Sequence, residues 1–140
     1  MKKQKFLLAN WKQNGDEQLV HAMFQLLNKK LKPKDSVQIG VFPPFVYLPL
    51  ARHILSEASS FIKLGAQNLS AYANGAFTGE ISAQMLKEVG VDFVLVGHSE
   101  RRHIFGETNQ VIAEKFNQAL NADLIPVLCL GETERQYSEN

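Results

Sequence analysis

Residues 91–108 read VDFVLVGHSERRHIFGET, and this stretch decides the fold. An apolar run ends at Gly97 and is followed at once by a histidine, a glutamate and two arginines. A near-continuous rather than alternating apolar run predicts a strand that is covered on both faces, as in a parallel sheet. Charge placed directly after such a strand indicates the sheet end where βα folds meet solvent and ligand.

Four similar runs occur elsewhere in the chain, so five strands are predicted. They are KFLLAN from Lys5, VQIGVF from Val37, FIKLGAQ from Phe61, VDFVLVG from Val91 and IPVLCLG from Ile125. Helical periodicity predicts helices over residues 16–31, 46–58, 81–89 and 108–122, a short helix in SERRHIF and the start of another in ERQYSEN. The strands recur roughly every 30 residues, which is the length of one βα unit.

Two architectures take this repeated βα pattern: an open doubly wound sheet, or part of an eight-stranded βα barrel. Strand order separates them. A neighbour order of 1-2-3-4-5 means a barrel, whereas a swapped order means an open sheet.

Composition narrows the class of protein. The 140 residues are 45% apolar, which suffices for one domain with a sizeable core. The formal net charge of +1 predicts neither a nucleic-acid partner nor a membrane partner. One cysteine, Cys129, cannot form an intramolecular disulfide, and no signal peptide is recognisable, so a cytoplasmic protein is expected.

Polar side chains follow the predicted strands at the edge where ligands bind. They are Asn10 and Lys12, then Gln67 and Asn68, then His98, Ser99, Glu100 and Arg101, and finally Glu132. Several have an ordinary alternative: Lys12 as a solvated side chain, His98 as a helix cap, and Arg101 and Arg102 as partners of nearby carboxylates such as Glu107. The four histidines lack a close spacing such as HxxxH, so no metal site is predicted.

Five motifs occur in one order: ANWKQNG at 9–15, GAFTGEIS at 75–82, GHSERR at 97–102, FGET at 105–108 and PVLCLGE at 126–132. Together they closely resemble the triosephosphate isomerase family, and the resemblance covers essentially the whole chain. It implies an α/β fold of the parallel (β/α)8 barrel type. Residues 1–140 would form the N-terminal portion of this single domain, with the first five strands and their helices.

The resemblance also implies an activity, the interconversion of dihydroxyacetone phosphate and glyceraldehyde 3-phosphate through an enediol(ate), in glycolysis and gluconeogenesis. Asn10 and Lys12 match substrate-binding positions, and Lys12 would hold the phosphate and the charge growing on the substrate oxygens. His98 matches the electrophile, which in this family works as a neutral imidazole. Glu100 matches a rim carboxylate that supports Lys12 and His98. No metal or organic cofactor is implied.

Residues 72–80, YANGAFTGE, look like the family's protruding dimer loop. The resemblance implies a homodimer in which Thr78 reaches the partner's site and Glu80 pairs with the partner subunit's Arg101. Gln13 occupies the place that the partner's loop surrounds, where many members carry an apolar side chain.

Five strands are a little over half of the ~250 residues of a complete barrel. The family's catalytic glutamate, lid loop and phosphate loops would lie beyond Asn140, because Glu132 matches the rim glutamate of the CLGE segment instead. The chain alone is therefore expected to be inactive, and the complementary C-terminal half is a candidate partner.

Two alternatives remain at this point: a non-catalytic flavodoxin-like domain, and an interaction module that kept the dimer loop after losing catalysis. A phosphate-signalling receiver of the flavodoxin-like fold would carry acidic residues at the ends of strands one and three. The ends of those strands carry Asn10, Lys12, Gln67 and Asn68 instead.

Overall fold

The computed structural model describes residues 4–132 and 137–138. The strands are β1 (Lys5–Asn10), β2 (Val37–Phe42), β3 (Lys63–Ala66), β4 (Phe93–Val96) and β5 (Ile125–Leu128). The helices are α1 (Glu17–Lys30), α2 (Leu48–Glu57), α3 (Ala83–Val89), α4 (Ser99–His103) and α5 (Asn109–Asn121), with a 3₁₀ turn at Phe45–Tyr47. All five predicted strands are present, and β3, β4 and β5 are shorter than predicted.

The sheet order is β1-β2-β3-β4-β5, and every neighbouring pair is parallel. This order confirms the barrel-type interpretation and contradicts the open, flavodoxin-like alternative. The sheet is strongly curled, because the rings of Phe6 in β1 and Phe93 in β4 meet edge to face with centroids 6.1 Å apart although two strands separate them. The described residues thus form a curled half-barrel with helices outside it.

Side-chain oxygen atoms cap the starts of three helices. Asp16 accepts a hydrogen bond from the Leu19 amide, Ser82 caps α3 in the same way, and Thr108 caps α5. Such caps satisfy amides that have no partner within the helix. Helix α2 differs from the prediction over 46–58, since a 3₁₀ turn replaces its first residues and Pro49 lies in the first turn that follows.

The main core lies between the outer face of the sheet and the helices, and a smaller cluster of Phe42, Phe93 and Leu95 fills the inner face. All four residues of β4 are buried. Strands β1 and β5 are not covered on both faces as predicted: Leu7 is 60% exposed and Ile125 is 50% exposed. The reason is that each has a neighbouring strand on one side only among the described residues.

The exposed large apolar side chains of the helices include Leu19, Met85 and Leu120. These three lie at the margins of their apolar stripes, where 3.6-residue periodicity is least decisive. The predicted helix over 134–140 lies outside the described residues except for Tyr137 and Ser138, which are helical. Within the described part of the chain, no helix has the length and apolar character needed to cross a bilayer.

Candidate functional site

A cavity of about 600 Å³ opens at the carboxyl ends of the strands. Its lining includes Asn10, Lys12, Gln67, Asn68, His98 and Glu100. These residues follow β1, β3 and β4, so side chains far apart in sequence converge because parallel strands end at one rim. The structure therefore brings together the four residues predicted for substrate binding and catalysis.

Lys12 adopts a left-handed backbone conformation with φ of 55°. Such a conformation is uncommon for a residue other than glycine and has to be held by its surroundings. The side chain of Asn10 accepts a hydrogen bond from the Lys12 amide at 2.9 Å, and Gln67 Nε2 donates to the Lys12 carbonyl at 2.8 Å. Gln67 also donates to the Phe42 carbonyl, which ties the lysine to the end of β2.

The side chain of Lys12 crosses the rim to Glu100, with 2.7 Å between Nζ and Oε1. The hydrogen bond from Lys12 holds the pKa of the Glu100 carboxyl below its ordinary value, and slight desolvation opposes this. The positive charge of Lys12 adds to the lowering, and so does His98 when its ring is protonated. Glu100 is therefore an anion that orients the lysine head at neutral pH.

His98 caps α4, because its Nδ1 lies 3.4 Å from the Glu100 amide and accepts its hydrogen bond. Nδ1 also lies 3.5 Å from Glu100 Oε2, a contact that is an ion pair only if the ring is protonated. We favour the amide bond because Nδ1 lies at the N-terminus of α4 and faces the Glu100 amide, and an accepting Nδ1 requires its lone pair. The geometry fits a neutral ring with its proton on Nε2, an atom that makes no hydrogen bond within the described residues.

A buried ionic cluster lies beneath the rim. Arg101 Nε donates to Glu107 Oε1 at 2.7 Å, Lys115 pairs with the same oxygen, and Lys115 also donates to Asn68 at 2.8 Å. Burial raises the pKa of the Glu107 carboxyl, but the hydrogen bonds from Lys115 and Arg101 outweigh burial and leave that pKa lowered. The ordinary interpretation of Arg101 as a partner of Glu107 is thus confirmed within the chain.

Lys115, which is only 4% exposed, is a residue of this cluster that was not predicted from the sequence. A signal was present, since Lys115 lies three residues after Ile112 and four before Ala119, on the buried stripe of α5. A lysine on such a stripe needs a buried anion, because burying an unpaired charge is costly. Gln67 was predicted to lie at the end of its strand. Its hydrogen bonds to two backbone carbonyls could not be predicted from the sequence.

Three of the four residues predicted for dimer contact are exposed in this single chain, and the fourth, Arg101, is half-buried and paired with Glu107. Gln13 lines the cavity, and Thr78 and Glu80 lie on the loop between β3 and α3. The rings of Tyr72 and Phe77 stack face to face across this loop with centroids 3.9 Å apart. The stack gives the loop an ordered shape, and residues 72–80 are all exposed.

The remaining predicted positions lie at the edge of the site. Cys129 was expected in the middle of a strand, but β5 ends at Leu128 and the thiol is half-buried just beyond it. Burial raises the pKa of the Cys129 thiol, which fits an inert group. Glu132 is exposed. Among the residues that the structure describes, no three histidine, cysteine or acidic side chains are grouped so that they could hold a metal ion.

The sequence model of the triosephosphate isomerase family matches residues 5–140. This chain belongs to that family. The match spans all five strands and every rim residue discussed above, so fold and family agree.

Curated relatives carry the same family name. A triosephosphate isomerase of Buchnera aphidicola subsp. Baizongia pistaciae is 48% identical over 138 residues, which cover 96% of this chain and 54% of that protein. One from Serratia proteamaculans is 45% identical over 93% of this chain and 50% of its own length. One from Shewanella pealeana is 45% identical over 89% of this chain and again 50% of its own length. The chain spans about half the length of the curated relatives it matches.

Proposed function

We propose that this chain supplies the phosphate-binding and electrophilic part of a triose-phosphate isomerase site, which interconverts dihydroxyacetone phosphate and glyceraldehyde 3-phosphate. The observation that carries the proposal is the convergence of Lys12, His98 and Glu100 on one rim around the 600 Å³ cavity. A small phosphorylated triose fits a cavity of this size, which offers a cation and a neutral imidazole side by side.

Each rim residue has a chemical task in this proposal. Lys12 and Asn10 bind the substrate, and the lysine ammonium balances the phosphate and the charge that develops on the substrate oxygens. His98 donates from Nε2 to the carbonyl oxygen and moves protons between the two oxygens of the enediol(ate). Glu100 keeps the Lys12 head beside the imidazole. No step needs a metal or an organic cofactor.

The proton-abstracting base is not among these assigned residues. We infer that it is supplied from outside residues 1–140, together with the lid and the backbone amides that grip phosphate. In this proposal residues 1–140 are the N-terminal portion of a single (β/α)8 barrel. The strand order and the half-length match to the relatives support this arrangement.

A homodimer and a cytoplasmic location complete the proposal. Residues 72–80 would project into the partner, placing Thr78 near the partner's cavity, with Glu80 beside the partner subunit's Arg101 and the loop enclosing Gln13. The exposed loop with its stacked Tyr72 and Phe77 rings supports the dimer. A free thiol at Cys129 suits a reducing compartment.

The test is an isomerase assay of the mass-verified 140-residue chain, alone and completed after Asn140 by the second half of the Buchnera relative. We expect no useful turnover by the chain alone, since losing general-base catalysis removes roughly 10²–10⁴-fold. The completed chain should turn over the triose phosphates, and its Lys12→Ala variant should not. Any turnover by that variant would reveal contaminating host enzyme.

Two results would contradict the proposal. If the completed chain folds but is inactive, the assigned function is wrong. Robust Lys12-dependent turnover by the 140 residues alone would place the base within them, and Glu100, Glu107 and Glu132 would then be the residues to test.

A further inference from the structure

Arg102 connects three segments of the fold through one guanidinium group. Its Nε donates to the Gly97 carbonyl at 2.6 Å, its Nη1 to Asn109 Oδ1 at 2.8 Å and its Nη2 to the Cys129 carbonyl at 3.2 Å. These acceptors lie just after β4, at the first residue of α5 and just after β5. One side chain therefore joins the carboxyl ends of two strands to the helix between them.

The Gly97 carbonyl belongs to the peptide unit that leads into His98. Gly97 has φ of 70°, and a Cβ there would lie 2.7 Å from Arg102 Nη2 and 3.1 Å from the Ile112 side chain. The guanidinium group of Arg102 thus packs against the backbone of Gly97, which has a left-handed conformation and no side chain. Because a peptide unit is planar, a carbonyl held at 2.6 Å also fixes the direction in which the chain enters His98.

The bonds of Arg102 differ in kind from those of its neighbour. Arg101 pairs with the Glu107 carboxylate, whereas the three acceptors of Arg102 are two backbone carbonyls and an amide oxygen, all uncharged. The shape of the arginine side chain, rather than its charge, explains why an arginine occupies this position. Its planar guanidinium fork presents several hydrogen-bond donors in fixed directions. A lysine keeps the charge but cannot reproduce that fork.

We propose that Arg102 is a positioning residue for His98: by holding the Gly97–His98 peptide against the end of β5, it sets where the imidazole lies relative to Lys12 and Glu100. This inference rests on the proposed function, because it concerns the electrophile of the same site. It also implies that movement at the carboxyl end of β5 is transmitted to His98 through Arg102.

The kinetic test compares Arg102→Lys with wild type in the chain completed by the second half of the Buchnera relative. We expect kcat to fall by roughly 10- to 100-fold, since a misplacement of about 1 Å can cost about 10²-fold. KM should change by less than about threefold, because phosphate binding by Lys12 is untouched. The matched control is Asn109→Ala, which removes the one acceptor that lies on neither strand end, and its kcat should stay within about threefold of wild type.

The second readout is the ¹⁵N NMR spectrum of the His98 ring and the Glu100 amide. In wild type, the bond from the Glu100 amide to Nδ1 should give the spectrum of a single tautomer. Arg102→Lys should weaken that bond and mix the tautomers, whereas Asn109→Ala should not. Arg102→Met, which keeps the apolar stem, is measured in parallel in case the lysine variant does not fold.

An unchanged His98 spectrum and unchanged kcat in a folded Arg102 variant would overturn the inference. The inference would also be overturned if Arg102→Lys and Asn109→Ala lost kcat in the same proportion to their loss of thermal stability. Arg102 would then only stabilise the fold. If the completed wild-type chain has no isomerase activity, the proposed function fails, and the His98 spectrum still decides whether Arg102 holds the ring.

Discussion

Lys12 Nζ lies 2.7 Å from Glu100 Oε1, and this ion pair joins the segment that follows β1 to the helix that follows β4. The two residues belong to different βα units, so the ion pair exists only when the rim is assembled. It also brings the ammonium group of Lys12 to the helix that His98 caps. Several consequences of this rim can be measured.

Removing the lysine charge should raise the pKa of Glu100. The hydrogen bond from Lys12 lowers that pKa in the folded chain, so the pair stabilises the fold at neutral pH, and the contribution is lost as pH falls through the folded pKa. An NMR titration of the Glu100 carboxyl carbon should show a higher midpoint in Lys12→Met than in wild type. Lys5→Met is the matched control, and an equal midpoint in Lys12→Met would disprove the coupling.

Replacing Lys115 should destabilise the fold far more than replacing an exposed lysine. Lys115→Met leaves the buried Glu107 carboxylate with Arg101 alone, and breaking a buried pair costs about 3–5 kcal/mol. The control is Lys63→Met, which breaks the ion pair between Lys63 and Asp92. The Lys63 side chain is 48% exposed, so the loss of this pair should lower the free energy of unfolding by at most about 1 kcal/mol. Urea unfolding measures both, and similar losses would show that the cluster adds no special stability.

Lys12→Ala and His98→Ala should impair the completed enzyme by different routes. Lys12→Ala should weaken the binding of phosphate ligands as well as turnover, because it removes an ammonium group from the cavity. His98→Ala should mainly lower kcat, by roughly 10²–10⁴-fold, which is the usual contribution of general acid–base catalysis. Steady-state kinetics and inorganic phosphate binding separate the two, and unchanged kinetics in His98→Ala would leave the histidine as a helix cap only.

A charge on the projecting loop should oppose self-association. Thr78→Asp places a carboxylate on the exposed segment proposed to enter the partner, and an unpaired charge is costly to bury there. Sedimentation of the completed chain should show a shift from dimer to monomer. A charge at an exposed position elsewhere, Gln84→Asp on α3, serves as the control. Identical sedimentation of Thr78→Asp and wild type would exclude this loop as the interface.

The amino-acid sequence by itself determined the alternation of strands and helices. Some features act over only a few residues, so they can be recognised from local sequence patterns. They are the apolar run before Gly97, the helix caps at Asp16, Ser82 and Thr108, and Pro49 in the first turn of its helix. The order of the motifs indicated the family, and polar or charged side chains after four of the five strands indicated the rim. These features are local or positional and need no knowledge of distant contacts.

Only the tertiary structure decided how the rim is held. Gln67 reaches the Lys12 carbonyl across 55 positions of sequence, and Arg102 reaches the Cys129 carbonyl across 27. Burial of Lys115 and exposure of Leu7 likewise depend on which elements lie alongside them. The physical reason is that hydrogen bonds and burial at these positions are set by segments brought together when the sheet curls, and periodicity within one segment carries no information about its neighbours.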